Sequence, residues 1–187
     1  MSVDSSQSFI QRARVPLGFV MGALFLVFAP RYTTPVSLVV GGAVAIVGIA
    51  IRAWATGHIV KNETLTTTGP YAHTRNPLYV GSFFLALGFA ICTHWLAIGL
   101  VLVFWLLVYK PTIERERDFL REVYGPAYRE YEANVPAFLP SLSAWSGPVG
   151  ADRSGGFSLP LYLRHKEWQA GVGAVSVMLW LVFSPFR

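Results

Sequence analysis

The sequence predicts an all-α integral membrane protein with about five transmembrane helices and a cytoplasmic amphipathic helix between spans four and five. Three observations carry this. The 187-residue chain is 53% hydrophobic and 13% charged, about half the charge of an ordinary soluble domain. Its uncharged stretches come near the roughly 20 apolar residues that cross a bilayer. Between the fourth and fifth stretches lies a charged segment with apolar residues at helical spacing. The single cysteine, Cys92, sits in an apolar run, which excludes an internal disulfide or a thiolate metal site.

Met1 to Gln11 is polar, and the apolar run behind it lacks a small-residue cleavage site, so the first span is expected to be retained. Val15 to Pro30 is that short span, and Pro35 to Ile51 reads as the second. Leu78 to Tyr109 carries no acidic or basic residue apart from His94, is too long for one crossing, and reads as two helices with a turn near Thr93-His94. Pro111 and Thr112 can open the amphipathic helix, on which Ile113, Leu120 and Tyr124 share a face while Glu114, Arg115, Arg117 and Arg121 point elsewhere. That helix is expected to lie along the membrane surface. Gly125-Pro126 ends the helix, a short helical stretch carries Tyr128 and Tyr131, and Pro136 and Pro140 stop the chain again. The chain 1–187 is expected to be a single membrane domain, with 141–166 a flexible connector and 167–187 the last span. Gly41, Gly42, Gly48, Gly81 and Gly88 are small residues that let helix backbones approach in lipid.

Orientation follows from the loop cations. Arg12 and Arg14 precede span one, Arg52, Lys61 and Arg75 lie between two and three, and more lie between four and five. The N-terminus is therefore placed in the cytoplasm and the C-terminus outside, as in a bacterial inner membrane. The net charge of +5 fits cations facing an anionic leaflet and gives no reason to invoke nucleic acid. One consequence matters for function. Gly69 to Gly81 and Glu114 to Asp118, though separated by a two-span hairpin, emerge on the same face, and ionisable groups at a helix mouth are functional candidates.

The segments Thr66-Thr-Thr-Gly-Pro-Tyr-Ala-His-Thr-Arg-Asn-Pro-Leu-Tyr79, Glu116, Tyr124-Gly-Pro-Ala-Tyr-Arg-Glu-Tyr131 and Val135-Pro-Ala-Phe-Leu-Pro140 resemble the isoprenylcysteine carboxyl methyltransferases and their phospholipid methyltransferase relatives. The likeness covers about 61–140. It implies an integral membrane enzyme that moves a methyl group from S-adenosyl-L-methionine, drawn from the cytoplasm, to a lipid or lipid-modified acceptor from the bilayer. It implies cofactor contacts at Lys61, Leu65, Thr66, Tyr71, Asn76, Pro77, Leu78 and Tyr79, with Glu116 at the substrate and Glu116 and Arg75 in the chemistry. The chain departs from the family where Arg75-Asn76-Pro77 replaces Arg-His-Pro and Glu116-Arg117 replaces Glu-Glu. Thr112 stands where eukaryotic members carry an arginine, so the fork that would grip a prenylcysteine carboxylate is missing.

The residues also have readings outside the family. Arg75 can snorkel to lipid phosphates, Tyr71 and Tyr79 can be interfacial belt residues, and Glu116 can pair one turn away. His73 and His94 have no second ligand at metal spacing, so no metal site is expected. If the acceptor is a carboxylate, a dry pocket favours the step. An amine acceptor instead needs a base, for which Glu116 or His73 is available. Phospholipid N-methylation and a non-catalytic scaffold that keeps the fold stay open as alternatives.

Overall fold

The computed structural model describes residues 18, 20, 22–59, 65–147 and 156–184. Among them the regular structure is all helical, without a β-strand. Helix α1 (Gly22–Arg31) closes in a 3-10 turn at Ala29–Arg31. Helix α2 (Pro35–Thr56) starts where Thr34 and Ser37 cap each other reciprocally, satisfying two orphan donors at the helix start. It runs five residues past the expected end at Ile51, so Arg52 belongs to the helix and not to a loop.

Helix α3 (Pro77–Ile91) opens on a proline at its first position, where the missing N–H costs nothing. It lies antiparallel to α2 along a seam of glycines. A Cβ on Gly41 would come within 2.4 Å of Gly88 O, and one on Gly48 within 2.6 Å of Gly81 O. The backbones touch there because neither side has a side chain, which is how helices gain van der Waals contact without a hydrophobic driving force.

A turn at Cys92 and Thr93 leads into α4 (Trp95–Phe104), capped by His94, so the expected hairpin is present. The chain beyond α4 departs from the expectation. A π-helical turn, Trp105–Tyr109, joins α4 directly to α5 (Lys110–Asn134), giving one helical rod over Trp95–Asn134. Pro111 stands in the first turn of α5, but no loop separates that helix from α4. A helix-interior proline removes one backbone bond and crowds the carbonyl four residues back, and the wider π-turn absorbs that insult. The Thr112 hydroxyl donates to Val108 O at 2.7 Å and takes up a carbonyl in the same turn. The bend comes instead at Gly125, whose φ of 53° suits glycine.

Beyond that bend α5 folds back on itself. Tyr128, Tyr131 and Val135 form a buried cluster against which Leu120, Tyr124, Leu65 and Trp145 pack. The face carrying Leu120 and Tyr124 therefore meets protein, while Phe119 and Val123 are the exposed large apolar residues of this helix. Within 141–166, expected as a connector, Ser141 N–H donates to His73 O and Trp145 N–H to Ala72 O, so 141–147 is docked. Helix α6 (Leu159–Arg164) occupies part of the remainder, before α7 (Trp168–Phe183). Helix α2 and the Trp95–Asn134 rod are long and apolar enough to cross a membrane, whereas Gly22–Arg31, Pro77–Ile91 and Trp168–Phe183 are shorter apolar helices. Each of the five overlaps a stretch expected to span, and two of them meet the length for a crossing.

Candidate functional site

The segment between α2 and α3 is held from outside by the end of α5 and the chain that follows it. Gly69 has a φ of 58° and a Cβ there would strike the His58 ring at 2.4 Å, so the 3-10 turn Gly69–Ala72 depends on glycine twice. The Tyr131 hydroxyl donates to Tyr71 O at 2.7 Å. Arg75 N–H donates to Pro136 O at 2.9 Å, the Thr74 hydroxyl to Phe138 O at 3.0 Å, and Asn76 Nδ2 to Ala137 O at 2.8 Å. The motif residues 71–76 are thus fixed before α3 begins, as a site needs if reacting groups are to be aligned.

A cavity of about 1310 Å³ opens beside this clamp. Its polar end is walled by Tyr71, Arg75 and Asn76 from the clamp, Pro77, Leu78, Tyr79 and Ser82 from α3, Arg52 from α2 and Glu116 from α5. Its apolar end runs between α1, α3 and α4 past Phe25, Phe89 and Val101. The two polar segments separated by the hairpin therefore meet at one cavity. The Tyr79 and Tyr109 rings meet edge to face there at 5.5 Å, and Trp105 stacks on Tyr109 at 4.9 Å. A second cavity of about 300 Å³ shares Arg75 and Asn76 as its wall and is bounded by Trp105, Phe138 and Lys110.

The electrostatics sort the expected residues. Arg75 Nη1 donates to Glu132 Oε1 at 2.7 Å, and Arg121 Nε donates to Glu132 Oε2 at 2.7 Å. Burial alone would raise the Glu132 carboxyl, but the bonds from the two arginines hold it below the usual carboxylate range. Arg75 is thus a structural pivot, with Nε buried and unpartnered among the described residues. Tyr71 is equally buried, and its hydroxyl has no partner there either. Burial, then the nearby Glu116 charge, push its phenol well above the ordinary value despite the opposing pull of Arg52. Glu116 itself is exposed at the cavity rim.

The remaining expected contacts divide. Tyr71, Asn76, Pro77, Leu78 and Tyr79 line the cavity, but Leu65 does not; it packs on the Tyr128, Tyr131 and Val135 cluster. Thr66 is absent from the cavity wall. Lys61, like Arg12 and Arg14, lies outside the described residues. Sequence reasoning missed Arg52, whose guanidinium makes a two-pronged ion pair with Glu167, the Nη2 to Oε2 distance being 3.1 Å, and also reaches the Ser82 hydroxyl. The available signal was an arginine within the last turns of an apolar helix, a position that calls for a partner. Glu167 stands at the N-terminus of α7, where an anion is favoured by the helix dipole.

Among the described residues, apolar helices, a clamp on a proline-led helix and a cavity with polar and apolar walls make up the site. The profile of the family described as Phospholipid methyltransferase matches residues 30–127, more than half of the chain, and the chain belongs to that family. Relatives include the cobalt-zinc-cadmium resistance protein CzcN of Cupriavidus metallidurans, 34% identical over 140 residues, which are 72% of this chain and 64% of that one. The nickel-cobalt-cadmium resistance protein NccN of Alcaligenes xylosoxydans xylosoxydans is 33% identical over 49% of this chain and 44% of its own. Protein-S-isoprenylcysteine O-methyltransferase of Xenopus laevis is 36% identical over 46% of this chain and 32% of its own. The chain thus spans less than two thirds of the length of these relatives. No solved structure matches it.

Proposed function

We propose that the protein is a membrane methyltransferase that uses S-adenosyl-L-methionine on a lipid or lipidated acceptor at the cytoplasmic face. The observation that carries this is that Tyr71, the run Arg75 to Tyr79 and Glu116 wall one cavity, polar at one end and apolar at the other. A head group and the cofactor can occupy the first end while a hydrocarbon tail lies along the second. The residues fit the cofactor: two buried donors in the wall lack partners among the described residues, and the Tyr79 and Tyr109 rings stand where a cation is expected, a contact of order 1 kcal/mol. When bound, S-adenosylmethionine supplies a methyl group on a sulfonium, whose C–S bond breaks with its electron pair kept on sulfur while the acceptor's lone pair forms the new bond.

The chain's own work is alignment and proton handling. The clamp over residues 71–76 fixes the mouth of α3, and held geometry of this kind lowers a barrier by roughly 7 to 11 kcal/mol. With an amine acceptor, Glu116 at the rim takes the departing proton. Phospholipid N-methylation is favoured as the particular reaction by one observation: the Thr112 hydroxyl is spent on Val108 O, so position 112 offers no group to hold a prenylcysteine carboxylate. Two relatives carry metal-resistance names, yet among the described residues no group of three or more His, Cys, Asp and Glu could hold a metal ion, and metal binding forms no part of this reading.

Thermal unfolding of the purified protein in detergent tests the cofactor. S-adenosylmethionine and S-adenosylhomocysteine at a hundred times their dissociation constant should each add about 2.7 kcal/mol to stability. No shift at millimolar concentration removes the enzyme reading. The proposal also includes a multi-pass topology of five spans, N-terminus in the cytoplasm and C-terminus outside, in a bacterial inner membrane. Cysteines placed at Leu142 and Phe183, both exposed, report it, with native Cys92 silent because it is fully buried. The first should react only from the cytoplasmic side and the second only from outside; labelling of both from one side contradicts an odd number of spans.

A further inference from the structure

Arg52 stands at the polar end of the larger cavity, and neither the clamp nor the proton transfer uses it. All three of its guanidinium nitrogens are engaged. Nε and Nη2 donate to the two oxygens of Glu167, while Nη1 donates to the Ser82 hydroxyl and lies 3.5 Å from Leu78 O. The Ser82 hydroxyl in turn donates to Leu78 O at 2.9 Å. A guanidinium presents its donors in one rigid planar fork, so holding Glu167 on one edge fixes where the other edge meets α3. The stem reaches that point because Gly81 has no side chain: a Cβ there would lie 2.5 Å from Arg52 Cγ. Glu167 is itself anchored. It caps α7, a helix beyond the residues 30–127 that match the family, and α7 is fastened elsewhere by Leu181 in a buried cluster with Ala29 and Cys92 and by Trp180 Nε1, which donates to Leu26 O at 3.1 Å.

We infer that Arg52 is a positioning residue for the reaction: held by Glu167, it sets the first turns of α3 against the polar end of the cavity and makes α7 part of the working unit. The inference rests on reading the cavity as the methyl-transfer chamber. Arg52, Leu78 and Ser82 all wall that cavity, and Glu167 does not. The clamp holds residues 71–76 from one side, and Arg52 holds the turn from Leu78 to Ser82 from the side of α2. In-line transfer needs this, because a misplacement of about 1 Å can cost about a hundredfold in rate. The pair is also sheltered, the Glu167 side chain being 11% exposed and that of Arg52 24%, so its attraction is weakly screened. Arg52 acts through Ser82 and Leu78, with its fork turned to protein on both edges.

Turnover and amide hydrogen exchange of the full chain in detergent test this together, with phosphatidylethanolamine and N-acetyl-S-farnesylcysteine as acceptors. Ser82→Ala removes the hydroxyl between Arg52 and α3 and leaves the Arg52–Glu167 pair whole. It should lower kcat by about tenfold, the order for losing a hydrogen bond to a charged group, while KM for the acceptor stays within about threefold and the unfolding midpoint within about 4 °C. Ser82→Thr restores the hydroxyl and should restore kcat. Glu167→Gln, made in α7, should lower kcat in the same way, and the double variant with Ser82→Ala should fall no further than the worse single one, because both act through Arg52. In both single variants the peptide covering residues 79–85 should exchange about threefold faster or more, with the α4 peptide 96–103 unchanged. Unchanged exchange over 79–85 overturns the inference whatever turnover does. Faster exchange with kcat intact in Ser82→Ala reduces the pair to a structural tie, and independent effects that multiply in the double variant show that Ser82 acts on a ligand directly; either result overturns it. A wild-type protein that neither binds S-adenosylhomocysteine nor moves a methyl group to either acceptor fails the methyltransferase reading and takes the reaction role with it, while exchange over 79–85 still reports separately whether Glu167 governs that turn.

Discussion

Gly48→Leu should abolish recovery of a monodisperse protein in detergent, and Gly48→Ala should lower its unfolding midpoint by about 2 to 12 °C. A Cβ at Gly48 would sit 2.5 Å from Leu85 N and 2.6 Å from Gly81 O, both backbone atoms of the facing helix. No rotamer change relieves a contact with backbone, so α2 and α3 must separate. Overpacking of this kind costs about 1 to 3 kcal/mol and occasionally more, and each kcal/mol moves the midpoint of a chain this size by about 2 to 4 °C. Separation also moves Arg52, four residues on, away from Ser82, so the cavity wall shifts with the seam. Gly99→Ala in α4 is the control. A Cβ there meets nothing within 4 Å, and the substitution should leave the midpoint unchanged or raise it, since alanine is the better helix former. Equal stability of Gly48→Ala and the wild-type chain would show that the two helices do not touch along this seam.

That seam marks how far the sequence could be read. The glycines were legible as packing residues because small side chains in an apolar helix have few other uses. Their pairing was not, although Gly41 and Gly48 repeat the seven-residue interval of Gly81 and Gly88. Register is a property of two helices together. Span positions were legible because hydrophobic length is set by composition, yet α2 extends past Ile51. Arg52 reads as a flank in the sequence, and only the fold shows that Glu167, 115 residues away, lets it sit within the helix. Pro111 does stand in the first turn of α5, as expected; what the sequence did not show is the π-turn at Trp105–Tyr109 that joins this helix to α4 without a gap.

The site divides in the same way. Tyr71, Arg75 to Tyr79 and Glu116 were legible because unusual chemistry at a helix mouth coincided with a resemblance. The resemblance transferred positions but not orientations: Leu65, expected at the cofactor, packs against the cluster of Tyr128, Tyr131 and Val135 and does not line the cavity. Glu132 was invisible for a further reason. It acts on Arg75 across 57 positions, and a long-range ion pair leaves no periodic trace in a sequence. Its presence gives Arg75 a structural part that the sequence did not show, that of tying the segment before α3 to the end of α5.

Glu116→Gln should cut turnover by about a hundredfold or more with an amine acceptor, while leaving S-adenosylmethionine affinity within a few-fold. The motivating observation is placement: among the described residues Glu116 is the one acidic side chain on the wall of the larger cavity, and a positioned base contributes about 10² to 10⁴ in rate. It is exposed at the rim, where a charge adds little to binding through solvent-screened attraction. The glutamine keeps size and hydrogen-bonding capacity and removes only charge and basicity, so a loss confined to turnover points to the proton. The control is Asp118, two positions on and facing away. Its carboxylate pairs with Arg117 at 2.8 Å and Arg121 at 3.6 Å and lines neither cavity. Raising the pH should partly rescue Glu116→Gln, because more of the acceptor amine is then already deprotonated and the missing base matters less. If Asp118→Asn lowers turnover as much as Glu116→Gln, or if Glu116→Gln loses activity equally at every pH, then Glu116 is not the base and the charged start of α5 serves as a solvated face.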